Sequence, residues 1–325
     1  MTSAARVFLY DAGGHDQEVP LTAQLLGNLT DEQLLWIDAR SADPAELAQI
    51  FTTLQLDATV QQLGMDEKGA PRLARCGEFM HITLVALHFT SPDQWKPVRT
   101  SVLWDRRMVL TVHPTEVDAF EGFTTQARGE TRIGALSADV FLSALLDWHL
   151  ASYFTAIELI ERSVDRFDEH VLTGEPSEDL VHDLVKLRRG VSRLRRLLLP
   201  QREVFHGLTR PDVAYDVGEQ AARQFQSVGM RFERVREALE HAADLIQGSF
   251  SLHASRAADS ANAFLKVLTF GTFLLGAMGV IAGMLGMNFQ ARLFEAGEPG
   301  FWTVVLSLAS LAVVSVLVAR RRKWI

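Results

Sequence analysis

Cysteine is nearly absent from this 325-residue chain, which holds Cys76 alone. One thiol excludes an intrachain disulfide, and without a CxxC pair there is no structural zinc site of the usual kind. Ten histidines are present, yet none stands in an HExxH or HxxxH pairing. His81 and His88 are seven apart in what reads as a strand, so they should point to opposite faces. Gly13-Gly14 stands without GxGxxG or GxxxxGK around it, which excludes the usual phosphate loops. No nucleophile, base or cofactor constellation emerges, so neither an enzyme nor a prosthetic group is expected.

Charge is missing over two long stretches near the C-terminus. Residues 267–287 give 21 uncharged positions and residues 301–319 give 19. A helix of the first length covers roughly 30 Å at about 1.5 Å per residue, enough to cross hydrocarbon. The opening MTSAARVFLYDAGG has no apolar core before its Asp and Gly residues, so no cleaved leader is expected. Insertion in a lipid bilayer through two C-terminal spans, about 264–287 and 301–319, is the expectation.

Basic residues gather at the end. Arg320, Arg321, Arg322 and Lys323 give the tail +4, whereas the loop 288–300 sets Arg292 against Glu295 and Glu298, a net −1. The positive-inside rule places the tail in the cytoplasm and the loop outside, which returns residues 1 to about 262 to the cytoplasm. With the whole chain at −8, residues 1–287 carry −11. Such an acidic body concentrates cations and repels nucleic acid.

Three parts follow from the pattern of the rest. Residues 1–117 read as a cytoplasmic α/β domain, with β-rich runs at 6–12, 34–39, 79–89, 100–104 and 108–113. The last two flank Asp105-Arg106-Arg107 as a hairpin turn. PAELAQIFTTLQL reads as a helix capped by Asp43 ahead of Pro44. Asp38, at a strand end, reads as a turn or cap residue. Residues 118–262 read as a cytoplasmic helical domain and stalk. Its first long helix reaches a turn signal at 173–179, and a second runs to Pro200. Asp165, Asp168 and Glu169 read as a solvated helix face rather than a cation site.

Proline is absent between Pro211 and Pro299. Within that interval Phe225, Val228, Phe232, Val235, Leu239, Ala242 and Ile246 repeat at spacings of three and four, a heptad seam. The same steps continue to Ser249, His253, Arg256 and Ser260, so the seam turns polar before the membrane. One continuous helix over 215–287 would be roughly 110 Å long. Residues 263–325 complete the chain as a transmembrane pore domain.

Small and polar residues occupy one face of the first span. Thr272, Gly276, Gly279 and Gly283 fall within about 60° at 100° per residue, and Leu265 and Leu268 continue that side. A plain Gly279–Gly283 packing contact accounts for part of this face. Two spans cannot enclose a water-filled path, so a pore on this face would be shared among several copies.

The chain resembles the CorA family of divalent-cation channels, most specifically over its last 65 residues. The matching elements are Asn262 with Lys266-Val-Leu-Thr269, Ile281-Ala-Gly283, then Gly286-Met287-Asn288-Phe289, and the basic ending Arg320-Arg-Arg-Lys-Trp324-Ile. The resemblance implies a CorA-like homopentameric funnel in the bacterial inner (plasma) membrane, with both termini cytoplasmic. It also implies a pore lined by the first span, with Gly286, Met287 and Asn288 at its outer mouth. The transported ion would be Mg²⁺, with Co²⁺ and Ni²⁺ also passing.

Magnesium gives up its waters reluctantly, so its entry site should offer neutral oxygens to the hydrated ion. Asn288 side chains and nearby carbonyls fit that need, with Gly286 letting the backbone turn. Glu295 and Glu298 would raise the local cation concentration. Leu265 and Leu268 would form a constriction that gates by dewetting, and Asn262 the next polar ring.

Two departures from the family stand out. Gly276-Ala277-Met278-Gly279 occupies the place of a Met and Pro-containing segment, and Ser227 stands where an acidic magnesium sensor is expected. Asp212, Asp216 and Glu219 are nearby alternatives, and the regulatory metal residues stay unknown. The related ZntB zinc-transporter branch shares the architecture but usually has Ile or Val at the position of Met287. A membrane-anchored sensor or binding module without ion flux is the third reading.

Overall fold

The computed structural model describes residues 5–22, 24–41, 43–64, 69–91, 94–126, 132–173, 180–287 and 297–322. Its chain divides into two compact units, 1–248 and 249–325.

Short, mostly apolar runs build the sheet of the first unit, and its inner strands are buried on both faces. Its strands are β1 (Ala5–Asp11), β2 (Gln17–Glu18), β3 (Gln33–Arg40), β4 (Arg72–Cys76), β5 (Phe79–Ser91), β6 (Gln94–Trp104) and β7 (Met108–His113). They form one seven-stranded sheet in the order β2-β1-β3-β7-β6-β5-β4. Every pairing is antiparallel except β3 with β7. The expected turn at 105–107 closes β6 to β7: the Asp105 carboxylate accepts from the backbone N–H groups of Arg107 and Met108, both at 2.9 Å. The short edge strands β2 and β4 carried too little periodicity to be expected from sequence.

Period two separates the faces of the sheet. Val7, Ile37 and Leu110 share one face and pack with Leu47, Ile50 and Phe51 of α2 (Pro44–Thr53) and Val60 of α3 (Ala58–Gly64). Asp43 caps α2 as expected, accepting from the Ala45 N–H at 2.9 Å. The helix ends at Thr53, short of the expected residue 56, because Gln55 takes a positive φ of 55°. The short helix α1 (Gln24–Gly27) precedes β3.

The other face is aromatic. Trp36 of β3 stacks with Phe8 at 5.1 Å and meets Phe123 of α4 (Asp118–Gln126) edge-on at 5.7 Å. Phe141 of α5 (Ala138–Thr173) joins the same cluster. Asp38, expected as a turn or cap residue, is instead buried in β3. It accepts from the Thr111 hydroxyl and lies 2.9 Å from His113 Nε2, while Trp36 Nε1 donates to Thr111 Oγ1 at 3.1 Å. Pairing of β3 with β7 brings these residues together, and local sequence could not announce it. His81 and His88 do take opposite faces of β5: His81 meets Ser101 Oγ at 2.7 Å, and His88 meets Asp118 at 2.8 Å.

Helix α5 is long and apolar enough to resemble a membrane span, but about two-thirds of its most apolar window is buried in the protein. It runs beside α6 (Leu180–Leu198), which leads through α7 (Arg202–Leu208) and α8 (Pro211–Val217) to α9 (Glu219–Leu285). The expected helix from residue 215 is interrupted. Gly218 adopts φ 81°, a conformation open mainly to glycine, and α9 starts after it. All seven seam residues from Phe225 to Ile246 are buried, as is Ser249. Phe232 stacks on Phe205 at 4.8 Å, and Arg231 pairs with Asp147 of α5 at 3.1 Å.

A buried polar clamp ties α5 and the end of α6 to the sheet. The Tyr153 hydroxyl donates to the Val85 carbonyl at 2.7 Å, and the Gln201 amide donates to the Tyr153 oxygen at 2.9 Å. His149 Nε2 donates to Gln201 Oε1 at 3.0 Å. Burial lowers the His149 pKa to about 4, so the ring is neutral. Near the start of α5, Trp104 Nε1 donates to Asp139 at 2.8 Å, while desolvation raises that carboxyl to about 6.

These shifts act on stability with opposite signs. His149 binds its proton less readily when folded, so its contribution is full above about pH 6.5 and declines as pH falls toward 4. Asp139 holds its proton more readily when folded, so it stabilises as pH falls from about 6 toward 3.8. Each is worth about 3 kcal/mol at most. In thermal melts of the full-length protein in detergent, His149→Gln should flatten acid sensitivity between pH 6.5 and 4, and Asp139→Asn should sharpen it.

Candidate ion pathway on the long helix

Helix α9 continues without a break from the buried seam through the first uncharged stretch to Leu285. A backbone crossing hydrocarbon must satisfy its own hydrogen bonds, and an uninterrupted α-helix does so. In the second unit its side chains meet little else among the described residues. Leu265 and Leu268 are 54% and 53% exposed, and Phe273 on another side is 77% exposed. Exposure of apolar groups on every side calls for lipid, other copies or both.

Direction along the helix separates these surroundings. At about 100° per residue, Leu265, Leu268, Thr272, Gly276, Gly279 and Gly283 fall within about 80° of one another. A Cβ added at Gly276, Gly279 or Gly283 would meet no heavy atom within 4 Å. The glycine face is therefore not occupied by this chain's own second apolar helix. Continued toward the stalk, the same direction passes Ala261, Ala258 and Ala254, while Asn262 lies about 80° to one side. Lys266 is turned about 120° away, so its charge stays off this face.

At the outer end, the Gly286 N–H reaches both the Ala282 carbonyl at 2.9 Å and the Gly283 carbonyl at 3.2 Å. Met287 N–H follows with Met284 at 3.3 Å. Gly286 thus extends the helical winding by a tightened turn. Gly297 takes a positive φ of 61° just before α10 (Glu298–Arg321). Met287 is exposed. Asn288 and Glu295 lie outside the described residues. Glu298 stands in the first turn of α10, where a carboxylate complements the helix dipole. α10 ends with Arg320 and Arg321 in its last turn, the complementary arrangement.

Among the described residues, no group of three or more His, Cys, Asp or Glu side chains is placed to hold a metal ion. The three acids near the expected sensor position are engaged by arginines: Asp212 by Arg210, Asp216 by Arg75, and Glu219 by Arg223. Ser227 is exposed, and so are Asp165 and Glu169.

A family model described as "CorA-like Mg2+ transporter protein" matches residues 31–321. A cobalt/magnesium transport protein CorA of Thermotoga maritima is 28% identical over 188 residues, 58% of this chain and 53% of that protein. A zinc transport protein ZntB of Pectobacterium atrosepticum is 25% identical over 98% of this chain and 96% of its own length. In structure, the CorA magnesium transporter of Methanocaldococcus jannaschii aligns over 100% of both chains with a TM-score of 0.74 at 18% identity. That likeness establishes the same fold: an N-terminal α/β unit, a long helix and C-terminal apolar helices. With nearly the whole length matched by the family model, the chain belongs to the CorA-like Mg²⁺ transporter family.

Proposed function

We propose that this protein is a divalent cation channel of the cytoplasmic membrane, passing Mg²⁺ through a pore shared by identical copies, five by analogy with the family. One observation carries the reading. Leu265, Leu268, Thr272, Gly276, Gly279 and Gly283 share one side of an unbroken helix, and among the described residues no heavy atom lies within 4 Å of a Cβ added at the three glycines. Hydrophobic Leu265 and Leu268 form the narrow gate, which closes when water leaves it. Thr272 and the glycine backbone widen and wet the path beyond.

Residues 286–288 form the outer mouth, where the Asn288 amide oxygen hydrogen-bonds the waters of a hydrated Mg²⁺. Glu295 and Glu298 draw cations to it. Residues 1–117 and 118–262 lie in the cytoplasm, as do both termini, and residues 263–325 form the pore domain. With Asp212, Asp216 and Glu219 held by arginines, any magnesium sensing by these acids first has to displace an ion pair.

Zinc transport is the alternative, favoured by the near-complete overlap with the ZntB protein. Met287 inside the triplet supports magnesium. In liposomes holding the purified protein, Mg²⁺ influx should exceed Zn²⁺ influx when both are measured side by side. Preferential zinc flux would overturn the ion assignment and leave the pathway standing.

Asn288→Ala removes hydrogen bonds to a charged hydrate, each worth about 1.5–3 kcal/mol, so influx should fall by tenfold or more with insertion unchanged. Undiminished Mg²⁺ influx in that variant would sink the mouth assignment. Leu268→Ser should raise resting flux several-fold by keeping the gate wet. A resting flux equal to that of the wild type would place the constriction elsewhere.

A further inference from the structure

Charge is divided unevenly between the two antiparallel helices of the first unit. α5 carries seven acids against Arg162 and Arg166, a net −5, whereas α6 carries Lys186, Arg188, Arg189, Arg193, Arg195 and Arg196 against Asp183, a net +5. Neighbouring helices of such opposite charge would be expected to neutralise each other. Among the described residues no ion pair joins them. Glu158 pairs with Arg162 on its own helix, and Glu161 and Asp147 pair with α9.

The reason lies in the direction of the side chains. On α5, Glu158, Glu161, Asp165, Asp168 and Glu169 form a stripe about 100° wide beside its buried face. On α6, Arg188 and Arg195 line a groove of about 490 Å³ against Arg236, Glu240 and Asp244 of α9. Arg189 and Arg196 point away from that groove. Both are exposed and in no ion pair among the described residues, as are Asp165 and Glu169 on α5. Spacing also matches: Arg189 and Arg196 are seven residues apart, as are Glu158 and Asp165, about 10.5 Å along each axis.

We propose that α6 of one copy docks by its arginine row on the acidic stripe of α5 of the next copy. A ring of identical chains needs two different, mutually complementary faces on each chain. This chain displays such a pair on adjacent helices: Glu158 and Glu161 are engaged by Arg162 and His241, while Asp165, Glu169, Arg189 and Arg196 are in no ion pair among the described residues. A soluble polyanion would match α6 alone and leave the acidic stripe without a counterpart. The ring is taken from the channel reading, but the contact is tested without reference to transport.

The test uses the full-length protein in detergent, with Cys76→Ser as background. Asp165→Cys combined with Arg189→Cys should give covalent oligomers on mild oxidation, and each single cysteine should give none beyond background. Glu158→Cys with Arg196→Cys supplies an independent pair in the same antiparallel register. Absence of inter-chain products from both pairs overturns the proposal.

Charge reversal gives the second arm. Arg189→Glu with Arg196→Glu should weaken association about fivefold at low salt, with the effect shrinking as salt screens it. Glu158→Arg with Asp165→Arg should do the same, and all four together should return to within about twofold of the starting protein. A loss confined to the α6 variant marks a polyanion site and overturns the contact, as does failure of the fourfold variant to recover. Ion flux on the same samples separates the two ideas. Flux lost with cross-links intact counts against the channel, and cross-links lost with flux intact count against the contact.

Discussion

A backbone in hydrocarbon has no water to bond, and that constraint shapes this protein more than any other. It requires the residues entering the membrane to be helical, and α9 meets the requirement without interruption from Glu219 to Leu285. The same helix therefore packs a buried heptad seam at one end and presents an apolar surface with a small-residue face at the other. Proline would break that continuity, and none occurs between Pro211 and Pro299.

The soluble unit depends on a different kind of restraint. Seven strands with helices on both faces make an apolar sandwich, but the elements that lead to α9 are fixed by polar contacts. His149, Tyr153 and Gln201 fasten α5 and the turn after α6 to the Val85 backbone of β5, the strand beside the β4 edge. Burial makes these hydrogen bonds selective, because leaving any of them unmade would strand a polar group away from water. The clamp sets where α5 and α6 lie, and with them where the acidic stripe and the arginine row face.

Sequence reading located most long elements because their signals are local. Short β-rich runs gave β5 and β7, the Asp43-Pro44 pair gave the start of α2, and spacings of three and four gave the seam of α9. It missed β2 and β4, since a two-residue strand and an arginine-rich edge strand carry no period of their own. It also misjudged Asp38. A strand-end aspartate looks like a cap until a parallel neighbour, 75 residues away in sequence, delivers His113 to it.

The expected ion path was legible as a one-sided run of small residues, because helical winding converts sequence spacing directly into direction. By itself the sequence determined what the bilayer reads: two uncharged stretches, a basic tail, and a helix without proline. Tertiary structure alone decided which acids are already neutralised by arginines, which histidine is held neutral, and that α5 and α6 do not pair their charges. Arg75 with Asp216 and His149 with Gln201 are far apart in the chain, and only the packing of helices on the sheet brings them together.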